Sequence, residues 1–423
     1  MELTSGITET EWGAIPSDWS FVPLGELCTH VTSGSRGWAQ YYASHGDIFI
    51  RITNLRRSSI QLDLSDCRFV NLPDDNTEGA RTGLVEGDLL ISITADLGII
   101  GIVPPGLGTA YINQHIALAR LAPDAADPTY VALALASEQG YRRFEKLNDA
   151  GSKAGLNLPN VRSVRVPLPP TIREQRAIAA TLSDADALVE SLEQLISKKR
   201  FIKQGAMQDL LTGKRRLPGF EGAWTPTSLG RLGATYGGLT GKSKQHFGHG
   251  SASYVPFLNV VTNTVVDLSD LDQVEVSPGE TQNAVRKGDL LFNGSSETPE
   301  EVGLCARVPA DHSSLYLNSF CFGLRLFDAD SVSGRFLAYF FRGPIGRDLM
   351  KGLAQGSTRY NLSKRALLDA EFALPGKCEQ EAIAQILDDI DSEIEGHRRR
   401  LDKARQLKQG MMQQLLSGRV RLV

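Results

Sequence analysis

Cysteine is scarce and scattered. The chain has five (Cys28, Cys67, Cys305, Cys321 and Cys378), and no two form a Cys-x-x-Cys pair. A disulfide framework is therefore not expected, whereas reduced thiols in a cytosol are. Long apolar runs are missing as well. No stretch approaches the roughly 18 charge-free residues that a membrane span needs, so no membrane partner is expected. The opening MELTSGITETEWG carries acids and no apolar core, so a signal peptide is not expected either. Nor is there an excess of positive charge: 45 Lys and Arg stand against 49 Asp and Glu, a net charge of −4. That excludes a uniformly basic coat for nucleic acid but leaves local basic surfaces open.

Catalytic signatures are equally thin. Gly241-Lys242-Ser243 has the look of a phosphate-loop ending. The glycine required five positions earlier is Tyr236, however, so the segment reads as an exposed loop. His246 and His249 lack the further ligands that zinc would need at recognisable spacing. Pro123-Asp124 and Glu145-Lys146 do not give the acid-x-lysine spacing of a metal-dependent nuclease. The chain has no Gly-x-Gly-x-x-Gly cofactor turn and no Asn-Pro-Pro-aromatic tetrapeptide of the amino-methyltransferase kind. The pattern favours binding over turnover, with no metal or cofactor expected on the chain itself.

What the sequence does have is a repeat. With 423 residues, 41% of them hydrophobic, it can fill two to four domains. Glu174-Gln175-x-Ala177-Ile178-Ala179 recurs as Glu379-Gln380-x-Ala382-Ile383-Ala384, and Lys203-Gln204-Gly205-x-Met207-Gln208 recurs as Lys408-Gln409-Gly410-x-Met412-Gln413, both 205 positions on. The same offset links Trp19 to Trp224, Asn54 to Asn259, and Tyr111-Ile112-Asn113 to Tyr316-Leu317-Asn318. Gly87-Asp88-Leu89-Leu90 returns at Gly288-Asp289-Leu290-Leu291. A collinear set of this length points to duplication.

Each half divides again. Its first part mixes short apolar runs (47–52 and 88–93) with turn residues and a few helical stretches (129–146 and 332–353), which together read as an α+β globule. Its last part, Arg173 to Leu211 or Glu379 to Leu416, is free of proline, with apolar residues at steps of three and four. That is one face of a long helix. Thr171-x-x-Glu174 reads as a capping box, and Gly213 and Gly418 as helix stops. About 38 residues make a rod of roughly 57 Å. Such a rod needs a partner, and the second copy supplies one. The expected fold class is α+β, with two pseudo-symmetric domains joined by two long antiparallel helices forming a coiled coil. The alternative is that each helix packs on its own globule. The expected segments are 1–167, 168–216, 217–373 and 374–423. Gly205 and Gly410, inside the helices, suggest close helix–helix approach.

The two helical blocks, the Gly-Asp-Leu-Leu blocks and the Gly-Ser…Asn-Leu segments (Gly151 to Leu158 and Gly356 to Leu362) together resemble the type I restriction–modification DNA specificity subunit across essentially the whole chain. Leu374-Pro375 departs by running one residue shorter before its Glu-Gln. The resemblance implies a non-catalytic, sequence-specific DNA-binding subunit. Each globule is a target-recognition domain reading one half of a bipartite asymmetric site. The paired helices set the spacer and dock two methyltransferase (modification) subunits, and restriction/translocase subunits join the complex. It also implies that S-adenosylmethionine, ATP and Mg are used by those partners, and that the complex is cytoplasmic. Half-sites lie about 34 Å apart per helical turn of duplex, a distance the rod can bridge.

Base readout needs polar and basic loop residues. In the first globule the candidates are Ser35, Arg36, Trp38, Gln40, Arg56, Arg57, Asn113, Gln114, Ser152 and Lys153. In the second they are Lys242, Lys244, Gln245, His246, Asn293, Ser295, Thr358, Arg359 and Tyr360. Asn54 and Asn259, at matching strand ends, read instead as fold residues. Lys198-Lys199-Arg200 and Arg398-Arg399-Arg400 lie near mid-helix, where a solvated face, phosphate contact and methyltransferase docking all remain open. Two other function classes compete with DNA recognition: a coiled-coil protein-interaction scaffold without DNA specificity, and a duplicated enzyme with an unrecognised site.

Overall fold

The computed structural model describes residues 6–73, 77–148 and 155–422. The chain divides into two compact units. One comprises Met1–Glu193 with Arg399–Val423, and the other Gln194–Arg398.

The first unit is built on an antiparallel sheet of β1 (Cys28–Ser33), β3 (Leu89–Ser92), β4 (Ile100–Ile102) and β6 (Ile116–Leu121), in spatial order β1-β6-β3-β4. Beside it, β2 (Asp47–Ile50) pairs in parallel with β5 (Ala110–Ile112). The sheet is buried on both faces, which explains the unbroken apolar runs. Ala117 and Ala119 of β6 face the core that holds Leu89 and Ile91, whereas Ile116 and Leu118 face a second core with Leu90 and Ile112. α1 (Pro128–Ala136) and α2 (Glu138–Lys146) follow, then α3 (Ile172–Leu210).

The second unit repeats this plan. β7 (Gly233–Gly237), β9 (Leu290–Asn293), β11 (Cys305–Arg307) and β13 (Cys321–Leu326) stand in the order β7-β13-β9-β11. β8 (Phe247–Val255) pairs in parallel with β12 (Leu315–Leu317), in the same register as β2 with β5. A further short sheet joins β10 (Ser295–Ser296) to a hairpin of β14 (Ala354–Gln355) and β15 (Tyr360–Leu362). α4 (Gly334–Arg342) and α5 (Pro344–Leu353) precede that hairpin, and α6 (Lys377–Leu415) closes the chain.

Several sequence blocks are explained by what they hold. In the Gly-Asp-Leu-Leu blocks, Asp88 accepts from Arg120 Nε (2.8 Å), Arg120 Nη2 (2.7 Å) and the Val85 amide (2.8 Å). Asp289 does the same for Arg325 and the Arg286 amide, and also takes the Tyr236 hydroxyl at 2.6 Å. Burial, and then the Asp289 charge, push the Tyr236 phenol upward, so it stays a donor. In the Glu-Gln blocks, Gln175 Oε1 accepts the Asp127 amide and Gln380 Oε1 the Ser333 amide, each at 2.8 Å. Both amides belong to the N-cap residues of α1 and α4, so the glutamines tie each long helix to a shorter one. The buried glutamates are clamped by arginine: Arg421 forks onto Glu174, and Arg216 onto Glu379 with two bonds of 2.6 Å.

The long helices appear where their periodicity puts them, each 39 residues long. Within the first unit the start of α3 lies antiparallel to the end of α6. There Lys408 pairs with Asp186, Arg405 with Glu193 at 2.6 Å, and Ile178 and Leu182 share a core with Leu415 and Leu416. Within the second unit Lys199 pairs with Glu393, Lys203 with Asp391 at 2.6 Å, and Leu210 and Leu211 share a core with Ile383 and Leu387. Each half-helix thus packs on both a globule and the other helix. Gly213 and Gly418 carry left-handed backbone (φ 69° and 67°), as helix stops require.

Four expectations need correction. The stretch 129–146 is two helices, because Ser137 is extended and its Oγ caps the Gly140 amide of α2. The stretch 332–353 also breaks in two. Pro344 opens α5 and disfavours helical backbone at Gly343 before it. The capping box at Thr171 is half formed: its Oγ1 accepts the Glu174 amide at 3.2 Å, but the Glu174 carboxylate goes to Arg421. Finally, Gly205 and Gly410 face open space, with nothing within 4 Å of an added Cβ, so close helix approach is not their reason.

Candidate nucleic-acid interface

In each unit, loops leave the ends of the two sheets and gather the candidate residues. In the first unit Gly37 (φ 92°) starts a short 3-10 turn, Trp38–Tyr41. Its Trp38 side chain points inward, 4% exposed, stacked on Phe49 at 4.9 Å. Trp38 is therefore a core residue rather than a base contact. Arg36 and Gln40 beside it are exposed. Ser35 Oγ accepts from Arg81 Nη2 at 2.9 Å, and Arg81 also donates to the Ser33 carbonyl at 2.7 Å, which braces this loop.

Arg56 and Arg57 are exposed but engaged. Arg56 pairs with Asp63, whose carboxyl is held down at about 2 by the Ser65 hydroxyl and amide and by Arg56. Arg57 pairs with Asp96 and lies over the Tyr141 ring at 4.0 Å. Asn113 is buried, and its Oδ1 accepts the His115 amide at 3.2 Å, so it shapes a turn. Gln114 stands on that turn, half-buried, bonded to His115 at 2.9 Å. Ser152 and Lys153 lie outside the described residues.

In the second unit Lys242 is not a free loop cation. Its side chain is 5% exposed and bonds Glu280 at 2.6 Å, and that bond foremost holds the Glu280 carboxyl at about 2. His246 Nδ1 takes the Ser243 amide at 3.0 Å and closes the local turn. Lys244 and Gln245 are exposed between them. Asn293 is a fold residue rather than a base contact: it is fully buried, accepting the Leu304 amide at 2.6 Å and donating to the Glu301 carbonyl at 2.9 Å.

Ser295, Thr358 and Arg359 do come together. They line one cavity of about 750 Å³ with Phe257 and Glu297. Ser295 also lines a neighbouring cavity of about 340 Å³ with Phe320 and Lys364. Arg359 donates to Ser295 Oγ at 3.3 Å and covers the Phe320 ring at 5.2 Å. Tyr360 lies in β15, half-buried. Asn54 and Asn259 are buried fold residues as expected, their amides donating to Asp63 O (2.7 Å) and Asp267 O (2.8 Å).

Among the described residues, nothing at these loops resembles an activated nucleophile. Burial pushes the Cys28 and Cys321 thiols up to about 12, which keeps them protonated. Among the described residues no group of His, Cys, Asp and Glu could hold a metal, and no helix is long and apolar enough to cross a membrane. What the described loop residues offer is hydrogen-bonding side chains, an exposed aromatic ring and the exposed cations Arg36 and Lys244. Phe320 and His115 were not singled out in the sequence. The signal was there: each lies two residues past the repeated asparagine, where the halves diverge.

The comparisons with known proteins agree with this architecture. The family profile described as type I restriction modification DNA specificity domain matches residues 16–198 and 256–405. The chain belongs to this family. It is 24% identical to the putative type I restriction enzyme MjaX specificity subunit of Methanocaldococcus jannaschii, over 98% of this chain and 96% of that one. It is 23% identical to the StySPI specificity subunit of Salmonella potsdam, over 47% of this chain and 42% of that protein. The crystal structure of the type I restriction-modification S subunit from M. genitalium shares the fold, with a TM-score of 0.60 over 98% of each chain at 14% identity.

Proposed function

We propose that this chain is the DNA specificity subunit of a type I restriction–modification complex and catalyses nothing itself. Each globule reads one half of a bipartite, asymmetric DNA site. α3 and α6 pair as an antiparallel coiled coil that sets the spacer between the halves and docks two methyltransferase subunits. Restriction/translocase subunits complete the assembly. S-adenosylmethionine, ATP and Mg are consumed by those partners, in the cytoplasm.

The observation that carries this reading is one framework bearing two different faces. The sheet order, the parallel strand register and the Asp–Arg clamps recur between the units, while the loops that leave them differ in residue type. Two dissimilar readers on one repeated scaffold suit an asymmetric site. The net charge of −4 fits a binder whose partners share the phosphate contacts.

Mapping methylated bases in cells that carry this chain with its methyltransferase tests the reading. The expected result is one motif of two unlike specific blocks separated by a fixed gap of unspecified bases. Methylation without such a motif, or duplex binding by the complex that does not weaken as salt rises, would overturn it.

A further inference from the structure

The repeat allows a comparison, atom by atom, of the place where both globules present side chains. In the first unit the Asn113 amide donates to Ile50 O at 3.0 Å, and Asn113 Oδ1 accepts the His115 amide at 3.2 Å. In the second the Asn318 amide donates to Val255 O at 3.1 Å, and its Oδ1 accepts the Phe320 amide at 2.9 Å. The turn then returns to the sheet in the same way: the Ile93 amide meets His115 O at 3.0 Å, and the Gly294 amide meets Phe320 O at 2.8 Å. A glycine backs each turn. A Cβ at Gly34 would run into the Asn113 backbone, and one at Gly238 into the Asn318 backbone. The backbone of this turn is therefore fixed, and fixed alike, in both units.

What the turn displays is not alike. The second unit shows Ser319 and Phe320. The Phe320 ring is 55% exposed, covered on one side by the Arg359 guanidinium, which Ser295 Oγ also holds. The first unit shows Gln114 and His115. His115 Nδ1 lies 2.7 Å from Thr94 Oγ1, and Gln114 Nε2 lies 2.9 Å from His115 Nε2. Thr94 and Ser295 occupy equivalent positions, each next to the turn's return to the sheet. The supporting hydroxyl is kept while the outward groups change from an amide–imidazole chain to a ring–guanidinium pair.

These groups match the chemistry of base edges. A glutamine amide held by one hydrogen bond still offers its oxygen and a second N–H, the pair that reads adenine N6 and N7. A guanidinium held over a ring by one hydrogen bond keeps donors for guanine O6 and N7, and the exposed ring suits a thymine methyl or a base face. Orienting both in advance lowers the ordering cost of binding.

We propose that the two asparagine-anchored turns are equivalent reading points, and that Gln114 with His115 in the first globule and Phe320 with Arg359 in the second are specificity-determining side chains for their half-sites. Gln114 reads an adenine and Arg359 a guanine. This rests on the DNA-specificity reading above, and it names the residues through which that reading works.

The test is methylation mapping with the full complex carrying Arg359→Gln, or Gln114→Ser with His115→Phe. Arg359→Gln should relax a guanine in one block, with a preference loss of roughly 5- to 150-fold at that position, the range one bidentate contact supplies. The double variant should relax an adenine in the other block only. Binding to duplexes that differ at one position gives the same readout without methylation. Thermal melts identify any variant that unfolds, and Phe320→Leu, which leaves the turn backbone intact, then stands in for the second globule. Three results would overturn the proposal: an unchanged motif with methylation retained, relaxation in both blocks from one variant, or equal weakening on all sequences with a shallower salt slope, which marks a phosphate contact. A wild-type complex with no bipartite motif would instead overturn the function proposed above.

Discussion

Replacing Arg421 with alanine is the sharpest test of how the first unit is closed. Arg421 comes from the tail after α6 and forks onto Glu174 at the start of α3, with Nη2 2.7 Å from Oε2. It also meets Asp18 at 3.0 Å and lies over the Trp19 ring. The Glu174 side chain is fully buried, and that of Arg421 is 18% exposed. Removing the arginine leaves a buried carboxylate without its counter-charge, which costs about 3–5 kcal/mol. In a domain of roughly 150–250 residues each kcal/mol lowers the melting point by about 2–4 °C, so a drop of about 6–20 °C is expected. Tryptophan fluorescence during urea unfolding reports on the right place, because three of the four tryptophans (Trp12, Trp19 and Trp38) belong to the first unit. The double variant Arg421→Met, Glu174→Gln should recover part of the loss, since no unpaired charge is then buried. A cost below about 1 kcal/mol for Arg421→Ala would refute the reasoning, because it would mean that water or another group satisfies Glu174. The Arg216–Glu379 clamp of the second unit makes the same prediction independently.

Gly205→Ala with Gly410→Ala should raise the melting point, since alanine gains up to about 1 kcal/mol per site in a helix and nothing crowds its methyl; a lowered melting point would mean that the helix surface at these glycines is crowded after all. Leu182→Ala and Leu387→Ala, fully buried where the long helices meet their globules, should each cost about 2–5 kcal/mol in denaturant unfolding. Glu280 is held at about 2, below its usual 4.5, chiefly by Lys242, so its stabilising effect is complete above pH 4.5 and fades as pH falls toward 2. Glu280→Gln should therefore flatten the acid dependence of thermal stability in that window, and an unchanged slope would argue against the tether. Inserting equal lengths into both helices, near Gln194 to Arg200 and His397 to Arg400, should lengthen the gap between methylated half-sites, and a fixed gap would argue against the spacer role.

The long helices were legible because their signal is redundant. A period of three and four, an absence of proline and a terminal glycine all agree over 39 residues, and the duplication gives the pattern twice. The repeat also made Asn54 and Asn259 readable as fold residues. Short breaks were less legible, because they depend on single residues such as Ser137 and Gly343. The interface was the least legible part. Trp38, Asn113 and Asn293 belong to polar or loop-rich segments, yet each turns inward to stack or to bond backbone. Arg56, Arg57 and Lys242 carry the right charge but spend it on Asp63, Asp96 and Glu280, partners 7, 39 and 38 positions away. Pairing at that distance is a tertiary property. Phe320 is the opposite case: an aromatic between strands, two residues before the buried Phe322, looks like core, and only the fold leaves it facing solvent.

The central claim is that one globule reads one half-site. Exchanging residues 1–165 for the corresponding globule of a family member with a different target, then mapping methylation in cells with the same methyltransferase, tests it directly. One block of the motif should change while the other block and the gap stay as they were. A motif altered in both blocks, or in neither, would contradict the account.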